Sequence, residues 1–129
     1  MIRFLAGLML ITSALTMAEP VVNRAQLTSN IIDKLPVDDL QNLMAVPAET
    51  IANVYFFTQV DGLAGQQIVH RWLYKQEPMA EVLLEIGGDN WRTHSSKKIR
   101  ANWAGDWQVQ VLHGDKLIHS YDFKVITTK

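Results

Sequence analysis

Gly87–Val111 reads GGDNWRTHSSKKIRANWAGDWQVQV and holds three of the four tryptophans, a basic cluster and two glycine-marked turns. In an extended chain, alternate side chains point to opposite faces. Trp91–Ile99 therefore sends Trp91, Thr93 and Ser95 one way and Arg92, His94 and Ser96 the other. Gly105–Leu112 repeats the period of two, with Gly105, Trp107, Val109 and Val111 inward and Asp106, Gln108 and Gln110 outward. Before the first run, Gly87-Gly88-Asp89-Asn90 is a turn of residues that tolerate positive φ. Two half-buried strands in succession, with no helical period between them, decide for an all-β reading.

The flanking sequence supplies partners. Ile51–Val60 (IANVYFFTQV) is aromatic and β-branched without a breaker, the strongest strand signal in the chain. Asp61–Gly65 is a turn, and Gln67–Tyr74 returns with Ile68, His70, Trp72 and Tyr74 on one face. Lys75–Pro78 turns the chain again. Met79–Ile86 then alternates Ala80, Val82, Leu84 and Ile86 with Glu81, Leu83 and Glu85. On the far side, His113-Gly114-Asp115 marks a hairpin, and Leu117, His119, Tyr121, Phe123 and Val125 are expected to form the last inner face. Val21–Ile32 reads as a first strand ended at Lys34-Leu35-Pro36. Pro36–Met44 is open between a short helix, with Leu40, Leu43 and Met44 on one face, and a plain loop, and Pro47 closes it. About seven short strands with turns every 8–12 residues give an antiparallel immunoglobulin-like β-sandwich over residues 19–129. Residues 51–127 form its core strands and 19–50 an N-terminal strand and loop. Trp72 and Trp107 are expected to pack against each other between the two sheets.

The chain of 129 residues is long enough for one unstapled core, and its net charge of −1 gives no pull toward nucleic acid. With no cysteine, disulfides, thiolate metal sites and a cysteine nucleophile are excluded. Residues 1–18 have the form of a cleavable signal peptide: Arg3, the apolar run Phe4–Leu15, then Thr16-Met17-Ala18. About twelve apolar residues fall short of the ~20 needed to span a bilayer as a helix. The expected compartment is the periplasm of a Gram-negative bacterium, with no stable membrane insertion after cleavage.

Several motifs together resemble a bacterial family of domains of unknown function, DUF2914. Its aromatic-Thr, Gly-x-x-Gly, His-Arg-Trp, Trp-Arg-Thr-x-Ser-Ser-Lys and Gly-x-Trp elements fall on Phe57-Thr58, Gly62–Gly65, His70–Trp72, Trp91–Lys97 and Gly105–Trp107. Leu35 departs from the pattern, standing where an acidic residue is expected. The resemblance spans roughly the chain after the leader, most specifically Val54–Val125. It implies an exported β-domain and brings no established activity.

The best binding candidate is the polar and basic group Arg71, Arg92, His94, Ser95, Ser96 and Lys97, with Lys98 and Arg100 beside it. Cationic forks and hydroxyls suit an anionic group or an acidic partner. Alternation sets Arg92 and Lys97 on opposite faces, and the same residues also read as a solvated strand. A peptide adding to that strand's edge is a further reading. His70 shares an inward face with Trp72 and is expected to be a core histidine satisfied by a hydroxyl or carbonyl; Trp72, Trp91 and Trp107 complete the expected core set. His70, His94, His113 and His119 lack the pairwise spacing of metal ligands, so no metal or cofactor is expected. Ser95 beside His94 makes no triad, because strand neighbours diverge, and no enzyme is expected. The expected partner is an envelope protein or an anionic envelope component, with oligomeric state open.

Overall fold

The computed structural model describes residues 19–129, and the leader reading of residues 1–18 lies outside them. The strands are β1 (Val21–Thr28), β2 (Ile31–Ile32), β3 (Leu35–Pro36), β4 (Leu43–Pro47), β5 (Ile51–Asp61), β6 (Gln67–Tyr74), β7 (Glu77–Glu85), β8 (Asn90–Arg100), β9 (Gly105–His113) and β10 (Lys116–Thr128). One sheet has the order β1-β5-β8 and the other β4-β10-β9-β6-β7, with β2 and β3 as a separate small hairpin. Among the described residues the helical content is one 3₁₀ turn, Ala101–Trp103, and no helix is long and apolar enough to cross a membrane.

The alternation read from sequence organises both inner faces. β5 sends Val54, Phe56, Thr58 and Val60 into the core, and β9 answers with Trp107, Val109 and Val111. Ile68, His70 and Trp72 come from β6 and Phe123 and Val125 from β10. Facing side chains interdigitate across the gap: the Phe56 ring stands edge-on to Trp72, with centroids 6.3 Å apart.

The two core tryptophans do not meet across that gap. β6 and β9 are neighbours in one sheet, with Trp72 opposite Val109 and Tyr74 opposite Trp107, so both indoles rise from the same layer. Phe123 lies between them, edge-on to Trp72 at 6.3 Å and stacked on Trp107 at 6.1 Å. The facing sheet contributes phenylalanine and aliphatic side chains instead.

Four further expectations change. Residues 36–44 form neither a helix nor a plain loop throughout: Leu43–Pro47 is a strand that pairs parallel with β10, burying Met44 and Val46. The first strand stops at Thr28, and Lys34-Leu35-Pro36 does not simply end it. Asp33 and Lys34, both at positive φ, turn a tight hairpin that pairs Ile32 with Leu35. The alternation of the last strand breaks at a bulge between Leu117 and His119. Ile118 is the residue that packs on the core there, while Leu117 is 49% exposed. Gly87 and Gly88 are not at positive φ; they make room for Trp91, whose ring carbon Cη2 lies 2.7 Å from where a Gly87 Cβ would stand.

Between β3 and β4 the chain runs along the edge of β1. Leu40 donates its N–H to the Leu27 carbonyl at 2.9 Å and Val37 to Asn30 at 3.1 Å. Asp38 fastens this segment, accepting from the Ser29 hydroxyl and N–H and the Thr28 hydroxyl. The Ser29 bonds, which favour the charged form, hold the Asp38 carboxyl below the usual carboxylate range.

Candidate functional site

β8 divides its polar residues between two environments. Trp91, Thr93, Ser95, Lys97 and Ile99 turn inward, while Arg92, His94, Ser96, Lys98 and Arg100 are exposed on the outer face. Strand periodicity alone produces this split.

On the inner side lies a buried polar relay. His70 Nδ1 is 2.7 Å from Ser95 Oγ, and His70 Nε2 is 3.0 Å from Thr58 Oγ1. Trp72 donates its indole N–H to Ser95 Oγ at 3.1 Å, and the Thr58 hydroxyl points at the Thr93 carbonyl at 3.5 Å. The donors run one way. The indole occupies Ser95 as acceptor, Ser95 donates to Nδ1, Nε2–H donates to Thr58, and Thr58 donates to the carbonyl. That order requires a neutral imidazole. Burial, reinforced by the nearby His94, pushes the His70 pKa down to about 3. His70 is thus the hydroxyl-satisfied core histidine expected from sequence. Ser95, grouped with the binding residues, is instead part of the core, since its neighbours His70 and Trp72 belong to the opposite sheet. No buried side-chain nitrogen or oxygen among the described residues lacks a partner.

The outer face of β1-β5-β8 is the basic surface. Across the ladders, Arg24, Gln59 and Arg92 form one row, Gln26, Phe57 and His94 the next, and Thr28, Tyr55 and Ser96 a third. Phe57 lies on this outer side yet is buried, its ring covered by the Arg24 guanidinium at 5.2 Å. Tyr55 and His94 sit at 6.1 Å between ring centroids. Two ion pairs occur among the described residues, Arg71–Glu81 at 2.7 Å and Lys124–Asp106 at 3.7 Å, and neither draws on β8. Arg92, Lys98 and Arg100 therefore present their charge without a carboxylate partner.

The six residues singled out from sequence do not form one site. Arg92, His94 and Ser96 share the basic face. Lys97 faces inward at the rim, its ammonium 5.3 Å from the Trp103 ring centroid, and Arg100 reaches the same ring at 5.5 Å. Arg71 lies on the outer face of the other sheet, held by Glu81. Of the expected core set, His70, Trp72 and Trp107 are buried, while Trp91 is half-buried over Gly87 and Gly88. Sequence reading missed Arg24, which joins the face only through the pairing of β1 with β5. It also missed an open groove of about 790 Å³ on the outer face of the five-stranded sheet. Gln108, Gln110, Asp122, Lys75 and Lys124 are among the residues lining it. There Gln110 donates to Gln108 at 2.9 Å and Gln108 to Asp122 at 2.7 Å.

Two facing sheets of three and five strands define an immunoglobulin-like β-sandwich. An immunoglobulin-like protein from Pseudomonas aeruginosa is similar in structure, with TM-score 0.58 at 16% identity over 85% of this chain and 98% of that one. The CARDB domain of a Pyrococcus furiosus protein aligns at TM-score 0.49 and 10% identity, over 83% of this chain and 95% of that one. Residues 65–125 match the family described as protein of unknown function, DUF2914, the family the sequence resembles. The match holds β6 to β9 and most of β10, and begins after Phe57-Thr58, at the last glycine of the Gly62–Gly65 turn. No curated protein matches the chain in sequence.

Proposed function

We propose that this chain is a non-catalytic binding or adaptor module of the bacterial cell envelope, working in the periplasm. Its basic outer face, Arg24, Arg92, His94, Ser96, Lys98 and Arg100, docks an acidic protein surface or an anionic envelope component. The observation that carries the reading is the row of exposed cations on β8 with no carboxylate partner, set on a rigid sheet. The leader-like first eighteen residues support the compartment. The Ser95–His70 contact has the spacing of a nucleophile and its base, but both groups are buried and Ser95 Oγ also receives the Trp72 indole. That supports a role without turnover.

Affinity capture from solubilised envelopes tests it. Arg92→Glu with Lys98→Glu should lose the partner that the wild type retains, with a nearly unchanged melting temperature because both side chains are exposed. Capture that is indifferent to the double reversal counts against the face. A second reading, recognition of a small polar ligand such as a glycan, is favoured by the amide-lined groove on the other sheet. A melting-temperature rise with soluble glycans, lost in Gln108→Ala, would select it.

A further inference from the structure

We propose that two copies of this chain associate side by side in a two-fold dimer, β7 of each pairing antiparallel with β8 of the other. The strand orders leave β7 and β8 as the outermost strands of their sheets. Both lie on the same side of the sandwich, since Ile86–Asp89 links one directly to the other. On the opposite side residues 37–40 cover the Leu27–Asn30 end of β1, and the outermost strand of the other sheet is the five-residue β4. Only the β7–β8 side presents two long runs of backbone without a neighbour.

Charge selects the occupant. β7 carries Glu77, Glu81 and Glu85 and no lysine or arginine, whereas β8 carries Arg92, Lys97, Lys98 and Arg100 and no carboxylate. Pairing β7 with β7 or β8 with β8 sets like charges opposite each other, which is destabilising; β7 against β8 sets opposite charges together. Edge charges that merely discourage aggregation need no such complementarity.

Geometry allows both pairings at once. Rotation by half a turn about an axis parallel to the strands exchanges the two sheet levels and keeps every strand's direction. Joined by a short turn, β7 and β8 run oppositely, so β7 meets the partner's β8 antiparallel and at its own height. Glu85 then faces the Asn90–Arg92 end and Glu77 the Lys98–Arg100 end. The contact is isologous and closes on itself, so it does not propagate into a fibre. It also covers apolar surface that this side leaves open: Leu83, 60% exposed between Glu81 and Glu85, and the half-buried Leu84 and Trp91 at the rim of the core.

The dimer shares Arg92 and Lys98 with the docking face, so the reversal on β7 is the one that separates the two readings. Mass should be measured by sedimentation velocity on the purified protein at about 0.05 M and about 0.5 M salt, since screening weakens exposed pairs. The expected result is a dimer at low salt that loosens at high salt. Glu77→Lys with Glu85→Lys should halve the mass, and so should Arg92→Glu with Lys98→Glu. Mixed one to one, the two variants should recover the dimer. The lysines introduced at positions 77 and 85 of one then meet the glutamates introduced at 98 and 92 of the other, while the untouched basic β8 of the first meets the untouched acidic β7 of the second. A monomeric wild type, a dimer that survives either reversal, or variants that fail to recombine overturns the proposal. Glu77 and Glu85 lie in the other sheet, away from the basic face, so their reversal should abolish the dimer while leaving envelope capture intact.

Discussion

Acid reaches the interior of this sandwich through His70. The imidazole is fully buried, and both its nitrogens are committed to hydroxyls in the neutral form. Its folded pKa is about 3 against an ordinary value of 6.5. Because the folded value is depressed, the unfolded chain binds the extra proton first as pH falls. The stability contribution is therefore complete above about pH 6.5 and is lost on descending toward about pH 3. Inside that window the slope is about 1.4 kcal/mol per pH unit, so going from about pH 7.5 to about pH 5 should cost about 2 kcal/mol. Urea unfolding followed by tryptophan fluorescence across this range measures it. His70→Gln is the control, since its amide keeps one donor and one acceptor but no titration. The variant should be less stable at neutral pH yet lose much less on acidification, with the other three histidines cancelling in the comparison. Equal slopes in the two proteins, or a flat wild-type profile, would refute the assignment of the proton to His70.

Neighbouring serines offer the sharpest contrast. Ser95→Ala strands His70 Nδ1 and the Trp72 indole N–H and should cost about 2–4 kcal/mol, whereas Ser96→Ala, on the exposed face, should stay within about 0.5 kcal/mol by chemical denaturation. Trp72→Ala should cost about 3–5 kcal/mol, measured in the same way, by opening the space beside Phe56 and Phe123. Gly87→Ala should displace the Trp91 ring and cost about 1–3 kcal/mol, seen as a changed fluorescence maximum together with a lower urea midpoint.

Strands β8 and β9 were legible from a clean period of two, and β5 from its aromatic and β-branched run. β6 and β7 were legible from alternation that breaks only at the shift beside Trp72 and Leu73, and the polar halves of β8 could be sorted by counting alone. Counting already sets Ser95 beside Trp91 and Thr93, so its burial was implicit in the pattern even though its chemistry suggested a binding role. β4 was not legible. Leu40, Leu43 and Met44 fit a helical face as well as a strand, and what decides for the strand is a parallel partner far along the chain. Bulges are equally invisible: the shift at Leu117/His119 depends on what β9 offers opposite. Arg24 stands level with Arg92 only because two ladders bring β1 and β8 to either side of β5.

The parallel docking of β4 on β10 has a kinetic consequence. Leu43 waits for Lys124, and most of the described chain lies between them, so this seam cannot form until the last strand is complete. A polypeptide made from its N-terminus delivers β4 early and its partner at the end. Until then Met44 and Val46 have no strand to settle on, and such distant pairings are slow to close. Removing Ile126–Lys129 would thus leave β4 with two of its five partners and sticky throughout assembly.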